Sequence, residues 1–477
     1  MTKDILKNYF HCDISEYSFQ DLNDLVIDKN NCILCGTCMS ICPRICLNQN
    51  RPSLQDYDPE CSLCFKYCAK TFFPEKLFQE EIFPQNCYKD PSIGYYQKII
   101  AAKAADETIL KIGQNGGTVT SLLIHALNKG IIDGALITGK DENWKPKPII
   151  ATTSKEILEA AGSVYALAPT LLGYNEILYK YKLKKLAFVG MPCQIQAVRK
   201  LQYFPPLSNE YGKFILIIGL FCTSNYSYDS MKEIIEKDCN VPINEVKKVD
   251  ITGGKIIIYT VSEKIKEISL NKIKKYSWPS CQYCKDYTAE YSDISIGSIG
   301  AQDGKWNTII IRSDIGMDLF NEALKSKRII NSNKIDISKI NSEALKKKLK
   351  IVNVNDKVLS SLKMFDISEL AAEIYTILLS LENANISILT TIMKKQTKEI
   401  ERALSILQHR NWISLKNGYY KPMNPVKVFK EEINQLKKKF NNDLMNFKLD
   451  AFKTLETIYI QNNLKYVKDN EFIEDFF

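Results

Sequence analysis

The sequence predicts a mixed α/β central domain, preceded by a small cysteine-rich domain and followed by an α-rich region. Three observations point there. Ten of the 15 cysteines lie before residue 90. Between about 95 and 350, short apolar runs alternate with helical stretches, the signature of an α/β sheet. From 366 onward the pattern is helix, helix, helix, short strand, turn and strand, then a long charged amphipathic helix. The expected domains are 1–92, 93–360, 361–425 and 426–477.

Composition narrows the function. Clustered cysteines at short spacing in a cytoplasmic chain bind metal more often than they form disulfides. The net charge of +9 suits a solvated lysine-rich surface, with an acidic partner or anionic cofactor as the sharper alternative. The longest apolar run, FILIIGLFC at 214–222, is too short for a membrane span, and the charged N-terminus lacks the core of a signal peptide. A cytoplasmic protein is therefore expected. Only His11, His125 and His409 are present, so neither a catalytic triad nor an acid–base pair is expected. His125 reads as a packing or surface residue.

The first element is Cys32, Cys35, Cys38 and Cys42 followed by Pro43. This C-x2-C-x2-C-x3-C-P run is the spacing of bacterial-type ferredoxins, in which the fourth thiolate crosses to a second cluster. A degraded second run follows, with Asp58 in the first place, then Cys61, Cys64 and Cys68, and Ala69 in place of proline. The ferredoxin rule assigns one [4Fe–4S] cluster to Cys32, Cys35, Cys38 and Cys68. The other takes Cys42, Cys61 and Cys64, with Asp58 or Cys46 as fourth ligand. Cys12 and Cys87 read as unligated.

In the α/β region, GALIT (134–138), KLAFVG (185–190), KFILIIGLFC (213–222), KIIIYT (255–260), DISIGSIG (293–300) and NTIIIR (307–312) read as strands. Cys193 follows one strand and precedes a helix, and Cys222 ends another. Cys281 and Cys284 form a CxxC in a loop. Strand ends on one edge of an open sheet are where ligands gather, so these four sulfurs would suffice for a third [4Fe–4S] cluster. A core role for the strand-end thiols and a redox dithiol for the CxxC stay open. Cys239 reads as structural.

Gly113-Gln-Asn115-Gly116-Gly117-Thr118-Val-Thr120-Ser121 opens a helix. It is neither a dinucleotide GxGxxG nor a P-loop. A capped turn and a phosphate-binding turn are both open.

These pieces together resemble the coenzyme F420 hydrogenase/dehydrogenase beta-subunit family, F420 being a deazaflavin. The carrying motifs are NGGTVTSLL (115–123), AGSVY (161–165), VGMPCQIQAVRK (189–200), LFCTSNY (220–226) and CQYCKDYTAEYSDISIGSIGAQDG (281–304). They cover about residues 1–350. The resemblance implies a flavoprotein with bound FAD, a [4Fe–4S] cluster on the four later cysteines, and two N-terminal ferredoxin-type clusters. It implies electron transfer between reduced F420 and a redox partner subunit or soluble carrier. Asn115, Gly116, Gly117, Thr118 and Thr120 would line the FAD, and Gly297, Ser298 and Gly300 would let backbone approach flavin or substrate. Asp293 would orient that loop or simply cap a turn. Val164 replaces a residue that is often basic in the family. The alternatives are the same cofactors with another donor or acceptor, such as a ferredoxin-dependent reductase, or a redox-sensing regulator.

The C-terminal region, with helices near 367–382, 386–395 and 397–410, resembles a winged helix of the archaeal TrmB type. Asn417-Gly418 supplies the hairpin turn. Glu399 and Glu401 at the start of the third helix would repel phosphates, so docking or dimerisation is expected ahead of nucleic-acid binding. The helix at 427–465 has coiled-coil-compatible spacing without a strict heptad run, and oligomerisation through it is one expectation.

Overall fold

The structure, a computed structural model, describes residues 10, 17–56, 61–206, 210–350, 356–381 and 383–463. Asp58 and Cys12, which the sequence singles out, lie outside the described residues. The chain divides into two compact units, Met1–Ile351 and Val352–Phe477. The cysteine-rich region thus belongs to the same unit as the α/β region.

A hairpin of β1 (Ile45–Asn48) and β2 (Arg51–Leu54) lies in the cysteine region. Unit one is built on an eight-stranded sheet. Its strands are β3 (Lys98–Ala104), β4 (Gly134–Lys140), β5 (Pro146–Ala151), β6 (Lys185–Gly190), β7 (Lys213–Leu220), β11 (Ile294–Gly297), β12 (Asn307–Ile311) and β13 (Ile329–Ser332). Between β7 and β11 the chain forms a separate sheet of β8 (Val246–Thr252), β9 (Lys255–Thr260) and β10 (Ile265–Ser269). The order in the large sheet is β13-β3-β12-β11-β7-β6-β4-β5. The four inner strands β11, β7, β6 and β4 are parallel, and the flanking strands are antiparallel. Near-continuous burial along β6 and β12 fits strands covered on both faces.

Two layers cover the sheet. One face carries Leu122, Leu123 and Ala126 of α3 (Thr118–Asn128) with Leu319 and Phe320 of α5 (Asp314–Lys325). The other carries Ile195, Val198 and Leu201 of α4 (Pro192–Tyr203), together with Tyr67 and Phe78 from the cysteine region. Two of the short helices of that region carry cysteines, α1 (Thr37–Ile41) and α2 (Leu63–Tyr67). Tyr67 donates its hydroxyl to the Phe204 carbonyl at 2.5 Å, 137 residues away, which ties α2 to the end of α4.

KIIIYT departs from the α/β expectation. As β9 it sits in the small antiparallel sheet, because its side chains alternate between buried and open positions instead of being covered on both sides. The unit closes with α6 (Ile337–Leu349).

Unit two contains α7 (Glu369–Leu381), α8 (Ile386–Met393) and α9 (Thr397–His409), then the hairpin β14 (Ile413–Lys416) and β15 (Tyr419–Pro422). Asn417 and Gly418 both have positive φ, 51° and 78°, as a tight two-residue hairpin turn requires. Ala384 adds a bridge to Tyr420. Glu399 is consumed in a capping box, accepting from the Gln396 N–H. Trp412 is the hub: it is fully buried, its ring meets Tyr375 at 5.1 Å and Phe429 at 5.2 Å, and its Nε1 donates to Glu432 at 2.7 Å. Trp412→Ala is expected to cost about 3–5 kcal/mol, since it opens a cavity and strips a half-buried carboxylate of a donor. Denaturant unfolding followed by circular dichroism checks this, with the loss confined to the transition that reports unit two.

The last helix comprises α10 (Pro425–Asn446), a wider turn with i→i+5 hydrogen bonds (Phe447–Phe452) and α11 (Lys453–Asn463). Among the described residues, no helix is long and apolar enough to cross a membrane.

Candidate redox site

Parallel pairing decides where the central cysteines go. Gly190, the last residue of β6, pairs with Gly219 near the end of β7. Cys193 lies three residues beyond Gly190, in the first turn of α4, and Cys222 lies two residues beyond Leu220. Both thiols therefore leave the carboxyl edge of adjacent strands. The CxxC loop is drawn to the same place. Cys222 donates its N–H to the Tyr287 carbonyl at 2.9 Å, Trp278 donates its N–H to the Asn225 carbonyl at 2.7 Å, and Asn225 donates its N–H to the Cys281 sulfur at 3.4 Å.

Electrostatics agree with this placement. Burial, then repulsion from Cys284, Cys222 and Cys281, pushes the Cys193 thiol well above its usual range. Burial likewise takes Cys222 up to about 12, with Cys281 and Cys284 adding to it. A coordinated thiol is deprotonated outright, so these crowded thiols could become anionic ligands to a metal group. Among the described residues, no three His, Cys, Asp or Glu side chains stand close enough to hold a single ion.

The N-terminal cysteines sort into two groups. Burial holds Cys38 far up, with Cys35, Cys32, Cys68 and then Cys64 repelling it, and Cys68 is raised by burial and by Cys35. Burial takes Cys64 up to about 12, with Cys61, Cys42 and Cys68 adding to it. Cys68 thus acts on Cys32 and Cys38 and is acted on by Cys35, the thiols that the ferredoxin rule expects beside it, and it acts on Cys64 as well. Cys46 lies within β1 opposite Ser53 of β2. Backbone N–H groups of Leu34 and Lys70 point at the sulfurs of Cys32 and Cys68, at 3.5 and 3.4 Å.

Contacts join the first N-terminal group to the central one. Trp278, three residues before Cys281, donates Nε1 to the Cys32 carbonyl at 2.7 Å. Leu171 donates its N–H to the Cys35 carbonyl at 2.9 Å. The Lys70 charge acts on both Cys68 and Cys193, so these two sulfurs share one cation.

Three basic residues are not singled out by the sequence. Lys200 on α4 is fully buried and donates to the carbonyls of Lys66 and Cys68, at 2.9 and 2.5 Å. Burial lowers it to about 7, against the pull of Cys68 and Cys35. Lys347 on α6 is 4% exposed and donates to the Cys222 carbonyl at 2.5 Å. Burial alone would lower it, but Cys222, Cys284, Asp286 and Cys193 carry it above the usual lysine value. Arg199 is buried and pairs with Asp293 at 2.9 Å. Arg199 and Lys200 stand in VGMPCQIQAVRK, where a basic pair on an otherwise uncharged helix is the available signal. Lys347 stands in a lysine-rich run that gives none.

The glycine turn reaches the same sheet edge. Ala102 near the end of β3 pairs with Asn307 at the start of β12, and Gly297 at the end of β11 pairs with Thr308. The turn after β3, the Gly297 loop and the exits of β7 and β6 thus lie along one edge, at about 4.8 Å per strand. Gly117 caps α3 with φ 63°. Thr118 donates its hydroxyl to Asn307 Oδ1 at 2.8 Å, and a Cβ on Gly116 would stand 2.8 Å from that oxygen. Asn115 donates Nδ2 to the Gly304 carbonyl at 3.0 Å, and Thr120 is 7% exposed. The Phe221 ring fills the space above Gly297, and Gly300 packs against Ile340 and the Asp336 carbonyl of the α6 segment. Ser298 follows Gly297 and is half-buried. Val164 is buried in an apolar cluster with Trp144 and Tyr226. Asp293 is no simple turn cap: it accepts from Arg199, Ile217 N–H and Ser313.

Family models match three segments: a 4Fe-4S binding domain at 25–44, the coenzyme F420 hydrogenase/dehydrogenase beta subunit N-terminal model at 99–172, and its C-terminal model at 183–338. The chain is 35% identical over 284 residues to coenzyme F420 hydrogenase subunit beta of Methanosarcina barkeri, covering 59% of this chain and 97% of that one. The chain belongs to the F420 hydrogenase/dehydrogenase beta-subunit family. A second family member, one subunit of the F(420)H(2) dehydrogenase of Methanosarcina mazei, is 32% identical over 62% of this chain and 83% of its own. In the solved F420-reducing [NiFe] hydrogenase complex from M. barkeri, one chain is similar to this one with a TM-score of 0.53 and 35% identity. That match covers 58% of this chain and 96% of the other. The family models end at residue 338, short of Lys347 and of unit two.

Proposed function

We propose that this chain is an iron–sulfur flavoprotein subunit that passes electrons between reduced coenzyme F420 and a redox partner. The observation that carries this reading is the meeting of Cys193, Cys222 and the Cys281/Cys284 loop at the carboxyl edge of the parallel strands. Four thiols delivered from three segments to one strand edge suit a [4Fe–4S] group, which takes four thiolates. FAD, when bound, supplies the conversion of a hydride pair into single electrons.

Each part of the chain has a task in this reading. Asn115, Gly116, Gly117, Thr118 and Thr120, together with Gly297, Ser298 and Gly300 on the same sheet edge, would hold the flavin. The central thiols hold the nearest cluster. Trp278 and Leu171 hold the Cys32, Cys35, Cys38 and Cys68 set against the α/β region, and Cys42, Cys61 and Cys64 would form the far end of the route. Lys347 places a buried cation beside the central thiol set, offsetting negative charge that burial makes costly, and Lys200 places an amino group on the Cys68 carbonyl beside the N-terminal set. The names of the family members support F420 as donor, and their differing partners leave the acceptor to another chain or soluble carrier.

Anaerobic protein mixed with reduced F420 in a stopped-flow cell tests this. Flavin absorbance near 450 nm should bleach with F420 and stay unchanged with NADH, followed by bleaching of the broad cluster absorbance. An unchanged spectrum with F420, in protein that carries flavin and iron, would remove the donor assignment.

A further inference from the structure

We propose that the C-terminal helix pairs in antiparallel fashion with the same helix of a second copy of this chain, along an apolar stripe that repeats every eleven residues. Ile433, Leu436 and Phe440 set the pattern. Leu444, Phe447 and Ala451 repeat it eleven residues on, and Leu455 and Ile458 begin a third round. An eleven-residue repeat spans three α-helical turns at about 3.67 residues per turn, so on either side of the wider turn the stripe stays nearly straight and drifts slightly right-handed. That period explains why no heptad run is found. The wider turn at Phe447–Phe452 falls in the middle of the stripe.

The stripe is open to solvent. Val428 is buried and Phe429 packs on Trp412, so α10 is anchored to its own unit at its start. Beyond that point Phe440 is 66% exposed, Phe447 50%, Leu455 56% and Ile458 48%. From 433 to 458 it extends about 38 Å at 1.5 Å per residue. Monomers rarely leave so large an apolar surface uncovered.

Charge selects the occupant. Residues 425–439 carry five lysines against two glutamates, including the run Lys437, Lys438 and Lys439. Residues 440–463 carry two lysines against Asp443, Asp450 and Glu456. A parallel pair would set the lysine runs side by side. An antiparallel pair sets each basic half against the acidic half of its partner and also opposes the helix dipoles. A second copy supplies a stripe of the same unusual period and the complementary charge at once.

Sedimentation of the full, anaerobically prepared chain over a dilution series tests the pairing. The expected species has twice the 54.6 kDa chain mass. The double variant Phe440→Lys with Leu455→Lys alters only exposed positions and should sediment as a monomer with unchanged iron content and circular dichroism. Replacing Lys437, Lys438 and Lys439 together by glutamate should weaken the dimer by about tenfold at low salt. A monomeric parent chain, or a double variant that stays dimeric, overturns the proposal. Tightening by the triple charge reversal overturns the antiparallel arrangement.

Discussion

Replacing Cys193 by serine is expected to remove one cluster, about four irons per chain, and to cut electron delivery beyond the flavin. The reason is position. Cys193 stands at the first turn of α4, and its sulfur is the one on which Cys284, Cys222 and Cys281 all act. A hydroxyl is a poor ligand for iron–sulfur clusters, which are held by thiolates. Cys239, buried in the apolar cluster of the small sheet, is the control. Cys239→Ser should keep the full iron content. Iron and acid-labile sulfide counts on both variants check the outcome, and the flavin content of Cys193→Ser should remain that of the parent chain. Equal iron in the two variants would take Cys193 out of the ligand set.

Asp293→Ala is expected to destabilise unit one by about 3–5 kcal/mol, because it strands a buried guanidinium. Asp293 is 3% exposed and Arg199 1%. The carboxylate accepts from Arg199 at 2.9 Å, from the Ile217 N–H of β7 at 2.7 Å and from Ser313 at 2.7 Å. Arg199 in turn donates Nε to the Tyr291 carbonyl at 2.7 Å. One pair therefore locks α4, β7 and the entry to β11, the elements that carry Cys193, Cys222 and Gly297. Replacing both partners, Arg199→Met with Asp293→Leu, should cost much less than Asp293→Ala alone, since no charge is left buried without its partner. Thermal unfolding of the three proteins checks the ranking.

How much of the molecule is legible in the sequence follows from the range of each interaction. All six apolar runs contain strands: five belong to the large sheet, where a strand covered on both faces is apolar along most of its length, and KIIIYT belongs to the small one. The spacing of the N-terminal cysteines is local enough to propose the crossed grouping of Cys68 with Cys32, Cys35 and Cys38, and in the structure these thiols act on one another. The bond from Thr118 to Asn307 spans 189 residues, and nothing near Thr118 announces it. The same holds for Phe221 above Gly297 and for Lys347, whose run resembles a solvated helix face. KIIIYT reads as part of the α/β pattern because apolar content marks a strand without naming its sheet. Strand order puts the glycine turn, Gly297, Cys222 and Cys193 on one edge, and local sequence does not encode strand order.

The most direct measurement is anomalous scattering from anaerobically grown crystals, collected on both sides of the iron absorption edge. The account predicts a strong iron peak enclosed by Cys193, Cys222, Cys281 and Cys284, with another enclosed by Cys32, Cys35, Cys38 and Cys68. Four central thiols that are free, paired as disulfides or gathered around zinc, in a protein shown to be fully loaded, would contradict it.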